Sequence, residues 1–307
     1  MATERELSKR IRSIKNISKV TSALAAVSAS KASKSQRQVE ATRQYAEKAF
    51  EILHNLASQP GVASNGHPLL TVRDEIKATA VITISGDRGL AGAYNTNIVE
   101  RTQRFVAALG KSHPDTPVSL VTVGRKARDL FIRRGYNVIA SFDGIPDTPS
   151  INDVMPISRV VIDDYLAGKF DQVFVAYTDF ISLAQRVPVV KQLLPLKPLD
   201  FDGMAVSEYV KTVDLSGVSE RIYSYEPEPA SLLDTIIPRF TVLQIFQSIL
   251  ESQASEHSAR MMAMNNATDN AMELIDLLVL ERNKARQASI TSEILDIIGG
   301  AQGTEKK

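Results

Sequence analysis

The chain has 307 residues, 44% hydrophobic and 23% charged, which is enough to bury a core and, at about 150 residues per domain, enough for about two domains. Its 36 Lys and Arg against 35 Asp and Glu leave a net charge of +1, which argues against wholesale nucleic-acid binding, since that needs a basic excess. The absence of cysteine excludes disulfides, thiol catalysis and Cys-ligated metals, and no apolar run approaches the ~18 residues of a membrane-spanning helix.

The opening residues carry no apolar signal core, and Glu4 and Glu6 argue against a transit peptide. The residues that interrupt helices are unevenly placed. All 13 prolines lie between Pro60 and Pro238, and 12 of the 15 glycines between Gly61 and Gly217. Residues 1–59 and 239–298 therefore contain neither. At 1.5 Å per residue each flank is long enough for a helix of roughly 90 Å. A compact middle domain of that size is only about 40 Å across, so the flanks must pair with each other, with another protein, or both.

On the first flank, Leu7, Ile11, Ile14, Ile17, Val20, Leu24 and Val27 suggest an apolar seam whose mean spacing, below 3.5, predicts local overwinding. Residues 1–37 hold a net charge of +7, which suggests an acidic partner surface, although a solvated face explains it as well. The stretch Ser22–Ser30 is almost all small. That composition fits either a close helix neighbour or a smooth rod.

The middle alternates strand and helix. Strands are expected at 78–85, 118–124, 137–141, 172–178 and 185–194, the last an edge strand because of Pro188. Helices are expected at 95–109, opened by an Asn95 cap, at 126–134, and at 151–166 with Pro156 in the first turn. This order predicts a Rossmann-like domain with a mostly parallel sheet and helices on its faces.

Between the first strand and helix stands Ser85-Gly86-Asp87-Arg88-Gly89-Leu90-Ala91-Gly92, where a phosphate-binding loop would sit. Its G-x-x-G-x-x-G spacing is neither the dinucleotide fingerprint nor a P-loop, and a tight connection explains the glycines equally well. Asp87 and Arg88 suggest a local ion pair or a partner contact. His54, His67, His113 and His257 lack acidic companions at metal spacing, and no H-E-x-x-H or G-x-S-x-G occurs. Asp163-Asp164 reads as a solvated helix face. No catalytic residue, cofactor site or metal site is assigned.

The last flank carries a strict 4,3 repeat: Ile236, Phe240, Leu243, Gln247, Leu250, Ala254, His257, Met261, Met264, Thr268, Ala271, Ile275, Leu278, Arg282 and Ala285. Such a repeat makes a left-handed coiled-coil seam. Pro238 either starts this helix or kinks it. The expected architecture is therefore α/β plus a long antiparallel coiled coil. Residues 1–59 would pair with 229–307 around a central α/β domain at 60–228. Two independent amphipathic helices are the competing arrangement.

Two blocks, Ser255–Ala271 and Asn283–Ala301, resemble the signature region of the gamma subunit of the F-type rotary ATP synthase. Arg12–Thr21, Asp87-Arg88-Gly89-Leu90, Leu193-Leu194-Pro195-Leu196 and Tyr225-Glu226-Pro227-Glu228-Pro229 are similar to that family as well. The resemblance covers essentially the whole chain. Leu24-Ala25-Ala26 departs from the family's Met and charged residues, and Ala91 stands where a cysteine is common.

The resemblance implies a non-catalytic central-stalk rotor subunit, one copy per complex, inside a hexamer of alpha and beta subunits. Its foot would rest on the membrane ring of c subunits beside the epsilon subunit. It implies coupling of proton flow to ATP synthesis or hydrolysis, at the cytoplasmic face of a bacterial plasma membrane. Arg286, Gln287 and Thr291 match positions that contact a catch loop of the beta subunit; Glu256 and Arg260 are weaker interface candidates. The alternative from another class is a dinucleotide-binding α/β enzyme with a coiled-coil oligomerisation arm, and a third is a scaffold without a motor role.

Overall fold

A computed structural model of the chain describes residues 3–57, 67–73, 75–196 and 229–304. The Tyr225–Glu228 part of the motif quoted above lies outside the described residues. Ten elements follow in order: α1 Glu4–Ala57, β1 Thr79–Ile84, α2 Tyr94–Ser112, β2 Val118–Val123, α3 Arg125–Arg133, β3 Val138–Phe142, α4 Ile151–Leu166, β4 Gln172–Phe180, β5 Arg186–Leu194 and α5 Pro229–Thr304. The chain divides into two compact units, Ala29–Arg260 and Met1–Ser28 with Met261–Lys307. Among the described residues no helix is long and apolar enough to cross a membrane.

The larger unit is built on one five-stranded sheet in the order β3-β2-β1-β4-β5. The first four strands are parallel, and β5 closes the edge antiparallel to β4. Pro188 stands opposite Thr178 on that edge strand, where a missing N–H costs no second ladder. All six residues of β1 are buried, as a central strand covered on both faces requires. Its alternation sends Ala80, Ile82 and Ile84 into a core with Phe50 of α1, Ile157 and Val161 of α4, and Phe240 and Ile249 of α5. Val81 faces the opposite way, into a second core with Ile98 and Val99 of α2 and Phe131 of α3.

The helix starts differ from two expectations. Ala93, not Asn95, is the N-cap of α2; the Asn95 side chain turns back to the glycine loop. Pro156 is the sixth residue of α4, beyond the first turn, and that helix opens instead at Ser150, whose N–H donates to the Asp153 carboxylate at 2.7 Å. Asp153 thereby closes the reciprocal half of a capping box. Likewise Pro238 does not start the last helix, because α5 begins at Pro229 and carries Pro238 internally.

Within this unit α5 is buried on nearly all sides from Phe240 to Ala259, including polar Gln244, Gln247, Ser248 and Glu251. A helix covered all round shows no single apolar stripe. On α1 the buried positions are Ala32, Ser35, Val39, Ala46, Phe50 and Leu53.

In the smaller unit the α1 stripe is Leu7, Ile11, Ser18, Ala25 and Ser28, with Ile14 and Thr21 half-buried. These positions advance by alternating fours and threes. Ile17, Val20 and Val27, expected in the seam, are instead 53%, 59% and 55% exposed. The spacing is thus a regular heptad, and the overwinding inferred from the apolar residues is not present. From Ser18 to Ser28 small side chains occupy the buried positions while Val20 and Val27 are exposed. On α5 the repeat Met264, Thr268, Ala271 and Leu278 is buried as expected, with Ile275 half-buried. Leu7, Ile11 and Leu278 share one cluster with Ile14, Ile275 and Ala285. Thr21 and Thr268 join through their hydroxyls at 2.7 Å.

Candidate functional site

The carboxyl ends of β1 and β2 converge on the glycine loop. Gly124, at φ +95°, brings α3 so close to β1 that a Cβ there would stand 2.2 Å from the Ser85 carbonyl oxygen. The Ser85 hydroxyl accepts the Ala127 N–H at 3.0 Å, and the Gly86 N–H donates to the Asn95 side chain at 2.9 Å. Asp87 does not pair with Arg88. Its carboxylate accepts the backbone N–H of Arg125 at 3.0 Å and of Gly144 at 2.9 Å, with the Arg125 guanidinium at 3.7 Å. It thereby holds the first turn of α3 to the loop after β3. Arg88 is exposed and has no ion-pair partner among the described residues.

In open α/β sheets ligands bind in the crevice outside the carboxyl ends of the strands. Here α5 enters that space. The Glu256 carboxylate lies against Gly86 so closely that a Cβ on the glycine would come within 2.6 Å of it. The Tyr94 hydroxyl donates to the Ser252 carbonyl at 3.0 Å, which pins α2 to α5 over the same loop. The remaining room beneath Glu256 is about 50 Å³, far below a nucleotide's needs.

Glu256 and Arg260, the weaker interface candidates, form an ion pair with each other, and Arg260 also donates to the Gly89 carbonyl at 3.3 Å. Burial raises the Glu256 pKa above the ordinary carboxylate range, against the opposing pull of Arg260. Burial also pushes His257 down to about 4, although Asp147 lies 3.6 Å away. Asp147, despite partial burial, is held below its usual range by Lys31 at 2.7 Å.

A second polar cluster was not foreseen in the sequence. Glu251 of α5 is fully buried, 3.6 Å from Arg43 of α1 and hydrogen-bonded through Gln247 at 3.3 Å. Buried Asp179 of β4 lies within hydrogen-bonding reach of it. Burial and the neighbouring Asp179 carboxyl raise the Glu251 pKa well above its ordinary value, and the Arg43 charge opposes this only in part. Burial thus favours the protonated form of Glu251. The signal in the sequence was Glu251 as the one charged residue between Phe240 and Ala254.

Arg286, Gln287 and Thr291 lie in the smaller unit on α5, all exposed and beside the half-buried Ala285. The Thr291 hydroxyl donates to the Gln287 carbonyl at 2.9 Å, which leaves the Gln287 side-chain amide and the Arg286 guanidinium facing outward. Glu256 and Arg260 belong to the larger unit. Along the same part of α5 Leu277, Leu280, Ile290, Ile294, Leu295 and Ile297 are all about half exposed or more, among exposed polar residues such as Lys284 and Glu293.

The geometry defines an α/β domain whose ligand crevice is filled by its own C-terminal helix, together with long terminal helices. The family described as ATP synthase matches residues 3–303. The ATP synthase gamma chain of Dehalococcoides mccartyi strain CBDB1 is 44% identical over 301 residues, covering 98% of this chain and 99% of its own. That of Chloroflexus aurantiacus strain J-10-fl is 38% identical over 304 residues, covering 98% of both. Among solved structures, a chain of the Euglena gracilis mitochondrial ATP synthase rotor superposes with a TM-score of 0.62 at 17% identity, covering 94% of this chain and 98% of its own. A chain of the Tetrahymena thermophila mitochondrial ATP synthase central stalk and c-ring gives 0.59 at 22% identity, covering 81% and 99%. This chain belongs to the ATP synthase gamma chain family.

Proposed function

We propose that this chain is the central-stalk rotor subunit of a bacterial ATP synthase, without catalytic activity of its own. In this reading residues 1–59 and 229–307 form an antiparallel coiled-coil shaft and residues 60–228 an α/β head. One copy stands inside the hexamer of alpha and beta subunits, with its foot on the ring of c subunits beside epsilon. The complex lies at the cytoplasmic face of the plasma membrane. Proton flow turns the ring and the shaft, and the asymmetric shaft presents a different face to each beta subunit in turn. Each nucleotide site is thereby biased among conformations of different affinity.

The observation that carries the reading is the full-length relationship to gamma chains at 44% identity. The heptad burial on both helices and the Thr21–Thr268 contact support the shaft. The exposed apolar residues from Leu277 to Ile297 support an enclosing partner. Arg286, Gln287 and Thr291 are the proposed contacts with the beta subunit. The fixed guanidinium fork and the side-chain amide are able to grip a carboxylate or carbonyl at one rotational angle and release it at the next. Glu256 and Arg260 would contribute at most through the loop at Gly89, to which Arg260 is already bonded.

The dinucleotide-binding alternative loses its support at Gly86, against which the Glu256 carboxylate is packed. Co-expression with alpha and beta subunits tests the assignment. A single copy copurifying with a six-membered ring is expected; a chain that elutes alone and binds ATP or NAD at micromolar concentration contradicts it.

A further inference from the structure

The outer side of the glycine loop opens, within the larger unit, onto a polar cavity of about 310 Å³ at the carboxyl ends of the parallel strands and the start of α3. The function proposed above makes no use of it. Its charges are unequally matched. Asp147 is held by Lys31 and Glu256 by Arg260, while Asp87 serves the backbone N–H groups of Arg125 and Gly144. Arg88 lines the same cavity and has no ion-pair partner among the described residues. With Arg125, whose guanidinium lies 3.7 Å from Asp87, the wall carries four cations (Lys31, Arg88, Arg125 and Arg260) against three anions (Asp87, Asp147 and Glu256).

His257 supplies the second observation. It is only 5% exposed, it lines the cavity, and its Nε2 has no hydrogen-bond partner within the described protein. Arg260 Nη1 stands 3.5 Å from Nδ1. A guanidinium only donates, so Nδ1 is the acceptor and Nε2 of the neutral ring carries the proton. The nearest acidic oxygen, on Asp147, is 3.6 Å away, beyond hydrogen-bonding reach. A buried donor thus faces the cavity without an acceptor, which a native structure seldom leaves unmet.

We propose that this cavity binds a small tetrahedral oxyanion of the phosphate class, gripped by the Arg88 fork and accepting the His257 Nε2–H. An oxyanion supplies both missing partners at once, and Arg88 is suited to two parallel N–H···O bonds. The volume lies at the small end of ligand sites, and Glu256 closes the inner crevice, so a phosphate group fits and a dinucleotide does not. The group comes either from free inorganic phosphate or from the terminal phosphate of a nucleotide whose remainder stays outside.

The full-length chain, labelled with 15N at its four histidines, is titrated with inorganic phosphate against chloride at constant ionic strength. One Nε2 resonance is expected to shift saturably. Arg88→Ala, an exposed change that leaves the fold intact, is expected to weaken the response about ten-fold or more, the worth of one charge-assisted hydrogen bond, while Lys111→Ala at the end of α2 leaves it unchanged. ADP acting at lower concentration than phosphate would identify a nucleotide as the source; phosphate acting as well or better would identify the free anion. No saturable shift with either at tens of millimolar, the regime weaker than Kd ~1 mM, overturns the proposal. So does a response that Arg88→Ala leaves unchanged.

Discussion

The carboxylate of Glu256 lies against Gly86, at a distance of 2.6 Å from where a β-carbon on that residue would stand. The contact joins a loop after the first strand to a helix near the end of the chain. It also turns what would be a ligand crevice into a packed joint. The space a β-carbon would take at this glycine is filled by a neighbour's side chain.

Gly86→Ala should therefore lower stability by about 1–3 kcal/mol, the usual cost of overpacking a filled site. Thermal unfolding of the single variants and of the double variant with Glu256→Ala measures this. In the double variant the added methyl group meets no carboxylate, so the coupling between the two sites should be clearly non-additive. Additive effects would mean that the two residues do not touch.

The seam of α1 makes a second expectation. Ala32 is 1% exposed and Val27 is 55% exposed. Ala32→Leu should cost about 1–3 kcal/mol by overpacking, whereas Val27→Ala should stay within about 0.5 kcal/mol. Chemical denaturation of the two variants distinguishes them. The opposite order would restore the purely apolar seam and overturn the observed one.

That seam also shows how far the sequence carried. The placement of proline and glycine marked both long helices, and β-branched runs marked the five strands, because each signal is local. On α5 the heptad was legible because its inward positions, such as Leu250, Met264 and Leu278, are also its apolar ones. On α1 the inward positions Ser18, Ala25, Ser28 and Ser35 are small, not apolar, so a search by hydrophobicity followed Ile17 and Val20 onto the exposed face. The closing of the crevice by Glu256, and the meeting of Arg43, Asp179 and Glu251, depend on three-dimensional neighbours that no local pattern encodes. Arg286, Gln287 and Thr291 were singled out by family resemblance alone, since an exposed polar residue on a helix carries no physical signal of its partner.

The buried acid Glu251 predicts a pH dependence. Its folded-state pKa is raised well above the unfolded value, so between ordinary carboxylate pH and neutrality the folded state binds more protons than the unfolded one. Stability is then greatest at the acidic side and falls as pH rises through that window, by at most about 1.4 kcal/mol per pH unit for one proton. Glu251→Gln retains the shape and a donor for Asp179 without the titration. Buried His257, held neutral, contributes the opposite slope below its ordinary range in parent and variant alike, so the difference carries the test: from pH 5 to 8 the parent's denaturant midpoint should fall relative to the variant's as pH rises. Parallel slopes would show that Glu251 is ionised throughout.

The rotor assignment is tested most directly by ATP synthesis in membrane vesicles whose complexes carry Arg286→Ala with Gln287→Ala. Both side chains are exposed and beside the seam, so helix content by circular dichroism and assembly of the complex should be unchanged. Loss of one charge-assisted hydrogen bond at one of three orientations corresponds to about ten-fold or more in its relative population. The account predicts markedly reduced synthesis in normally assembled complexes. Synthesis equal to the parent's, with assembly intact, would contradict the role given to these residues in transmitting rotation.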